Sequence, residues 1–570
     1  METTRSALPA SKRIRIVLLW AFPALFLAFF FFLPLGAIFE VVGQAALTEG
    51  LERIYAQRIW RPLGFTFWQA ALSTALTLVL GLPAAFVLAR YHFPGKSLVR
   101  TLTALPFILP TVVVAAGFNS LFGPNGWLNL ALMRMLGLTA PPIQILNTLT
   151  AILLAHVFYN TTIILRVVGS TLEQMDPRLE NAARTLGASP WRALVEITLP
   201  LLRLPILSAA LLVFLFDFTS FGVILLLGGP GLATLEVEIY IQALHLFNLP
   251  MAGLLSLIQL GCTLIVALIH LRVTRETPVP ISPRLFDEGK AALHHWRQRL
   301  FVACTLVFLL LLIVLPLAAL ASRSVTKLDA DRGERGEVQR GLTLTYYQEL
   351  FFNRRASLFY VPPIEAVRNS LLFAGATTLI ATFTGTLAAY ALSQKVRINR
   401  WLDPLIMLPL GTSAITLGLG YVIAFNRPPF NVSSFPLLIP LAHSLVALPF
   451  VIRSVQPAIR SIPDSLRQAA AVSGARPWRV WFEIDLPIIL RSVLAGAIFA
   501  FTISLGEFGA TTFLTRPEYP TMPVAIFRFL SQPGALNYGQ AMAMATILLA
   551  VCGVSIAALE KLQIPTRRIL

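Results

Sequence analysis

An all-α polytopic membrane protein of about twelve transmembrane helices, arranged as two parallel six-helix repeats, is the fold class this chain predicts. Three observations lead there. Hydrophobic residues make up 56% of the 570 and charged residues only 13%, more apolar surface than a water-soluble fold of this length can hide. The apolar residues gather into stretches of roughly 20, the length a helix needs to cross a hydrocarbon core. A polar segment around Gly187 recurs around Gly474, 287 residues further on.

The spans follow in order. Residues 16–38 come after the basic start Lys12, Arg13 and Arg15; the run is longer than a signal-peptide core and reads as an uncleaved first span. Stretches 63–89, 101–121, 146–165, 204–227 and 250–271 complete a first half, 1–271. A basic linker, 272–299, carries Pro278, Pro280 and Pro283. Stretches 300–321, 369–393, 402–425, 434–452, 492–514 and 539–559 then fill a second half, 300–570. The short alternating segments of an outer-membrane barrel do not occur.

The net charge of +18 orients the chain and does not recruit nucleic acid. With the N-terminus inside, about 30 of the 45 lysines and arginines fall on the inner side, among them Arg90, Lys96, Arg100, Lys561, Arg567 and Arg568. More than half of the others sit in one long external loop, 323–368, where charge has less say over topology. Cys262, Cys304 and Cys552 lie in or beside apolar spans at unrelated spacings and form neither a disulfide framework nor a metal cluster.

The repeat reaches beyond the loops. His156 aligns with His443, Arg166 with Arg453, and Phe221-Gly222 with Phe508-Gly509, all 287 residues apart; Leu105-Pro106 and Gly117 align with Leu408-Pro409 and Gly420 at 303. The change of 16 falls between the third and fourth spans, where Gly123–Asn147 is longer than Asn426–Ser434. An even number of spans per half returns the chain to its starting side, so the halves are parallel repeats about an axis along the membrane normal. Both repeated loops, 170–203 and 453–490, then face the inside.

Each loop reads as two short helices. In the first copy Asp176 caps, Pro177 opens and Gly187 ends one helix; Ser189-Pro190 opens a second that Pro200 closes. Leu179, Ala182, Ala183 and Leu186 share one face, as do Leu466, Ala469, Ala470 and Ser473. Alanine on such a stripe lets another surface approach closely.

Asn181-Ala182-Ala183-(x3)-Gly187-(x9)-Ile197-Thr198-Leu199-Pro200 and Gln468-Ala469-Ala470-(x3)-Gly474-(x9)-Ile484-Asp485-Leu486-Pro487 resemble the cytoplasmic loop of bacterial ABC importer permeases, EAA-x3-G-x9-I-x-L-P. The resemblance implies a type I importer fold. It also implies that each loop holds a coupling helix seated on an ATP-binding subunit. Asn181 and Gln468 stand where the family has Glu, which puts that residue's salt bridge in question; Glu180 adjoins the first. Ala155-His156-Val157-Phe158-Tyr159-Asn160, Gly228-Gly229-Pro230 with Ala233-Thr234-Leu235-Glu236, and Ser504-Leu505-Gly506-Glu507-Phe508-Gly509 extend the likeness to fused ferric-iron and thiamine permeases. The last also resembles sulfate and molybdate permeases. The implied function is ATP-driven import of a solute delivered by an extracytoplasmic binding protein in a bacterial inner membrane, with both termini cytoplasmic. Ferric iron is the first expected substrate and thiamine the second, with sulfate, molybdate or polyamine-type solutes behind. No G-x4-G-K-[ST] phosphate loop occurs. The chain is therefore expected to be non-catalytic and to need no cofactor of its own, with ATP bound by two copies of a partner subunit.

Ionisable groups within spans are costly and face the bundle interior. Asp217 and Glu507 stand in the fifth spans, three positions out of register; Asp217 corresponds to Ser504 and Glu507 to Ser220. These four are the candidate pathway residues. The alternative has each acid tied to neighbouring helices through Thr219 or Thr502. His156 and His443 read as interhelical hydrogen-bonding groups, and Gly117, Gly222, Gly420 and Gly509 as close helix contacts. The external loop, with Asp329, Asp331, Arg332, Glu334, Arg335 and Tyr360-Val361-Pro362-Pro363, is either a contact for the binding protein or a connector. An ion-coupled secondary transporter, and a membrane scaffold with generic docking loops, are the competing classes.

Overall fold

The computed structural model describes residues 10–49, 59–275, 295–327, 341–353, 361–394, 396, 398–426 and 435–563. Most of the basic linker and most of the charged part of the external loop lie outside them. Among the described residues ten helices are long and apolar enough to cross a membrane. They are α1 (Val17–Thr48), α2 (Trp60–Arg90), α6 (Leu149–Gln174), α8 (Pro190–Phe218), α11 (Leu249–Thr274), α12 (Trp296–Arg323), α13 (Glu365–Ser393), α16 (Leu438–Ser461), α18 (Pro477–Gly506) and α21 (Ala535–Leu559). Shorter helices fill the sequence between them. In the first half these are α3 (Lys96–Ala104), α4 (Thr111–Phe122), α5 (Trp127–Leu136), α7 (Pro177–Thr185), α9 (Gly222–Leu227) and α10 (Leu235–Tyr240). In the second they are α14 (Asn399–Gly411), α15 (Ala414–Phe425), α17 (Asp464–Val472), α19 (Gly509–Leu514) and α20 (Met522–Leu530).

The two predicted spans missing from the ten are the third of each half, and both are broken. The predicted span 402–425 is the pair α14 and α15, bent by 96°, with Ser413 capping the second piece by accepting from the Thr416 amide at 3.3 Å. The predicted span 101–121 is α3 and α4, interrupted at Leu105–Pro110. Proline supplies the reason: Pro106, Pro110 and Pro409 lack the amide that an unbroken helix donates. The fifth spans are broken too. Predicted 204–227 ends as a straight helix at Phe218 and resumes as α9, and predicted 492–514 stops at Gly506 and resumes as α19.

A further correction concerns Pro200, which does not close a separate helix. The chain from Pro190 runs through a π-helical turn at Leu194–Thr198 directly into the span, with Pro200 in the first turn beyond it. The wide turn absorbs the missing amide without a break. Trp481–Asp485 repeats the device before Pro487.

The first helix of each half packs on the other half. Trp20, Phe26 and Phe31 of α1 share a core cluster with Tyr421, Phe425 and Leu448, and Trp20 Nε1 donates to Asn399 Oδ1 at 3.3 Å. Reciprocally, Val302 and Leu309 of α12 share a cluster with Ala84, Val87 and Leu88. The seats match. A Cβ on Gly117 would lie 3.0 Å from the Pro316 carbonyl oxygen, and one on Gly420 would lie 3.0 Å from the Pro34 carbonyl oxygen. Glycine is what lets these helices cross so closely, as expected at both positions.

Candidate functional site

The repeated loops form one exposed surface each. In the first, Asp176 accepts from the Arg178 amide at 3.0 Å to open α7. Gly187 ends it at φ +93°, and Gly474 ends α17 at φ +81°, in the left-handed region where glycine is unstrained. The Ser189 hydroxyl accepts from the Arg192 amide to start α8. The stripes predicted on α7 and α17 do face outward. Leu179, Ala182 and Leu186 are exposed, as are Leu466, Ala469 and Ser473, while Ala183 and Ala470 are half-covered. Trp191 and Trp478 extend the same apolar surface and are mostly exposed.

Behind that surface each short helix is stapled to the base of the following span. Glu180 forms an ion pair with Arg90 at 2.6 Å and accepts a hydrogen bond from Thr198. In the second copy the staple is Arg467 to Asp485, 2.8 Å. Glu180 aligns with Arg467 and Thr198 with Asp485, so the contact recurs with different chemistry. Asn181 and Gln468 themselves point to solvent; the ion pair expected of the family's Glu is made one residue earlier. Ile197, Leu199 and Pro200, like Ile484, Leu486 and Pro487, sit on the turn that joins loop to span.

A cavity of about 380 Å³ opens between the halves at the far ends of α8 and α18, within the roughly 300–1,000 Å³ of small-molecule sites. Asp217, Ser220 and Glu507 line it, as do Phe107, Phe216 and Phe221. Ser504 does not; it is buried behind His443 and bonds it at 2.8 Å. Asp217 Oδ1 accepts from Asn160 Nδ2 at 2.6 Å and lies 3.4 Å from His156 Nδ1, while His156 Nε2 reaches Ser220 Oγ at 2.9 Å. Glu507 accepts from the Ala510 and Thr511 amides at 2.9 and 3.0 Å, capping α19. It also meets Thr511 Oγ1 at 2.7 Å and His443 Nε2 at 3.1 Å. The expected alternative partners are elsewhere: Thr219 and Thr502 bond carbonyls of their own helices. The histidines are interhelical hydrogen-bonding groups, as expected.

One acid quoted above for its family likeness was not among the pathway candidates. Glu236 is fully buried on α10, lines the cavity, and accepts from Ser413 Oγ at 2.7 Å and from Gln259. Ser413 belongs to the second half, so this carboxylate ties the halves together. Phe221 and Phe508 stack across the same boundary, ring centroids 5.4 Å apart and planes 23° from parallel. Gly222 lies against Thr111, whose hydroxyl a Cβ there would overlap, and the Phe508 ring comes next at 3.3 Å.

A family model described as "Binding-protein-dependent transport system inner membrane component" matches residues 78–277 and again 381–569. The thiamine transport system permease protein ThiP of Salmonella typhimurium is 28% identical over 523 residues, covering 88% of this chain and 89% of its own length. ThiP of Haemophilus influenzae is 25% identical and covers 93% of each chain. A solved structure of a bacterial alginate ABC transporter in complex with an alginate-bound periplasmic protein aligns with 46% of this chain and 96% of its own, at a TM-score of 0.40 and 19% identity. With its two matched segments together spanning more than half its length, this multi-pass membrane chain belongs to the family of binding-protein-dependent transport system inner membrane components, and carries that family's unit twice in one polypeptide.

Proposed function

We propose that the chain is the permease of an ATP-driven importer whose cargo is thiamine. The observation that carries this reading is the cavity between the halves, where buried carboxylates stand among aromatic rings. Such a lining suits an aromatic organic cation: carboxylates answer its charge and ring faces attract it. Of the two substrates first expected, the relatives named above favour thiamine over ferric iron. The two repeated loops seat one ATP-binding subunit each. Closure of those subunits moves the loops, and the staples at Glu180 and Arg467 pass the motion to α8 and α18 as a rigid-body shift. The cavity then faces a solute-binding protein on the other side. ATP is hydrolysed in the partner subunits, with the loops and both termini on the cytoplasmic side of a bacterial inner membrane, a topology that the distribution of Lys and Arg supports.

The test is reconstitution. Permease, its ATP-binding subunit and its binding protein in proteoliposomes are expected to accumulate labelled thiamine only when ATP is supplied on the loop side. Uptake of ferric iron in place of thiamine, or thiamine uptake that follows an ion gradient without ATP, overturns the reading.

A further inference from the structure

The halves build the same three-residue cluster from exchanged parts. His156 bridges Asp217 and Ser220, and His443 bridges Ser504 and Glu507. By alignment Asp217 matches Ser504 and Ser220 matches Glu507, so the carboxylate has changed places within an otherwise repeated frame. Its bonding has changed as well. Glu507 is saturated by two amides, a hydroxyl and His443. Glu236 is engaged by Ser413 and Gln259. Asp217 is different: Oδ1 takes Asn160, while the buried Oδ2 accepts no hydrogen bond. The Ser73 hydroxyl beside it makes no hydrogen bond either, and His156 Nδ1 is held at 3.4 Å on the Oδ1 side.

A buried carboxylate oxygen without a hydrogen bond calls for a partner that the fold itself does not supply. Asp217 lines the cavity, and beside it Phe107 and Phe216 meet edge to face at 6.1 Å, offering the ring surfaces that attract cations. We infer that Asp217 is the residue that recognises the positive charge of the cargo, with Phe107 and Phe216 as the walls of that subsite, while Glu507 serves the fold of the α18–α19 turn. The inference deepens the thiamine-importer reading and rests on it. The pseudo-symmetric partner acts as an internal control: the same frame is closed in one half and open in the other.

The test uses the assembled transporter in proteoliposomes, with binding protein saturated by either of two labelled cargoes so that its own preference drops out. One cargo is thiamine; the other is an isostere with carbon in place of the charged thiazolium nitrogen. The wild type is expected to move thiamine faster. Asp217→Asn is expected to lower the thiamine-to-isostere rate ratio by about tenfold or more, the loss of one charge-assisted contact, and Asp217→Glu to restore much of it. Glu507→Gln is expected to slow both cargoes alike and to lower the thermal unfolding midpoint. Should Asp217→Asn not assemble, Phe216→Leu carries the test, with a several-fold fall in the same ratio. Parallel slowing of both cargoes by Asp217→Asn, an unchanged ratio in Asp217→Asn or Phe216→Leu, or a ratio altered only by Glu507→Gln overturns the assignment. A wild type that moves neither cargo overturns the thiamine reading, and the assignment with it.

Discussion

Asp485 occupies the unspecified position of the repeated I-x-L-P run, and it is buried against Arg467 on the short helix eighteen residues before it. Removing the guanidinium strands a buried carboxylate, which costs about 1–3 kcal/mol. Arg467→Ala is therefore expected to lower the thermal unfolding midpoint and to weaken capture of the ATP-binding subunit; Asp485→Ala added to it is expected to recover part of the loss. In the first half Glu180→Gln is expected to do less, because Thr198 still bonds the side chain. A motif read as a string marks which residue types recur, and here the stabilising pair recurs with its types exchanged. That is why the sequence points to Ala182, Gly187 and Pro200, gives Glu180 only as a neighbour of the motif, and passes over Asp485. The same limit applies in the cavity. Asp217 and Glu507 stand out because an acid in an apolar run is rare, whereas Glu236 follows Gly228-Gly229-Pro230 and shares its short helix with Glu238, so it reads as part of a connector until the fold buries it.

At the scale of helices, hydropathy locates each apolar run but says nothing of where it bends. Each of the ten spans overlaps its predicted stretch, with α8 and α18 beginning well before theirs because the end of the repeated loop is continuous with them. The breaks at Leu105–Pro110, Thr412–Ser413, Thr219–Phe221 and Glu507–Phe508 come from proline, capping side chains and cross-half packing at a few positions inside runs whose mean hydropathy stays high. The exchange of α1 and α12 between halves is likewise invisible, since a contact between Gly420 and Pro34 leaves no periodic trace. It makes a prediction. Gly420→Leu is expected to destabilise the protein by at least the roughly 1–3 kcal/mol of an overpacked core, and Gly117→Leu to do the same against Pro316, both read as unfolding midpoints in detergent. Gly187 and Gly474 behave differently. Nothing lies within 4 Å of a Cβ at either, so alanine there meets backbone strain alone, about 1–2 kcal/mol each. Gly187→Ala and Gly474→Ala are expected to loosen the ends of α7 and α17, and hence binding of the ATP-binding subunit, more than they affect the fold; co-purification set beside thermal unfolding separates the two.

Across the whole molecule, parallel duplication places like elements opposite each other, and the cavity lies where they meet. Two contacts across the boundary stand at its wall: the Phe221–Phe508 stack, and Glu236 reaching Ser413. Both sit at breaks, where short helices rather than continuous spans face one another, so a shift of α8 against α18 can part them without unwinding a span. The stack is worth about 0.5–1.5 kcal/mol beyond its buried area, small enough for the proposed nucleotide-driven closure of ATP-binding partners to overcome. Cysteines at Phe221 and Phe508, in a chain with Cys262, Cys304 and Cys552 replaced, are expected to be joined by a short bis-maleimide, which adds one thiol at each end, in the resting transporter. Trapping the ATP-binding subunits closed is expected to suppress the cross-link, and forming it first is expected to stop uptake while leaving the subunits associated. Equal cross-linking in both states, or uptake that survives the bridge, means the halves do not separate at this stack, and opening must then be sought at another contact between them.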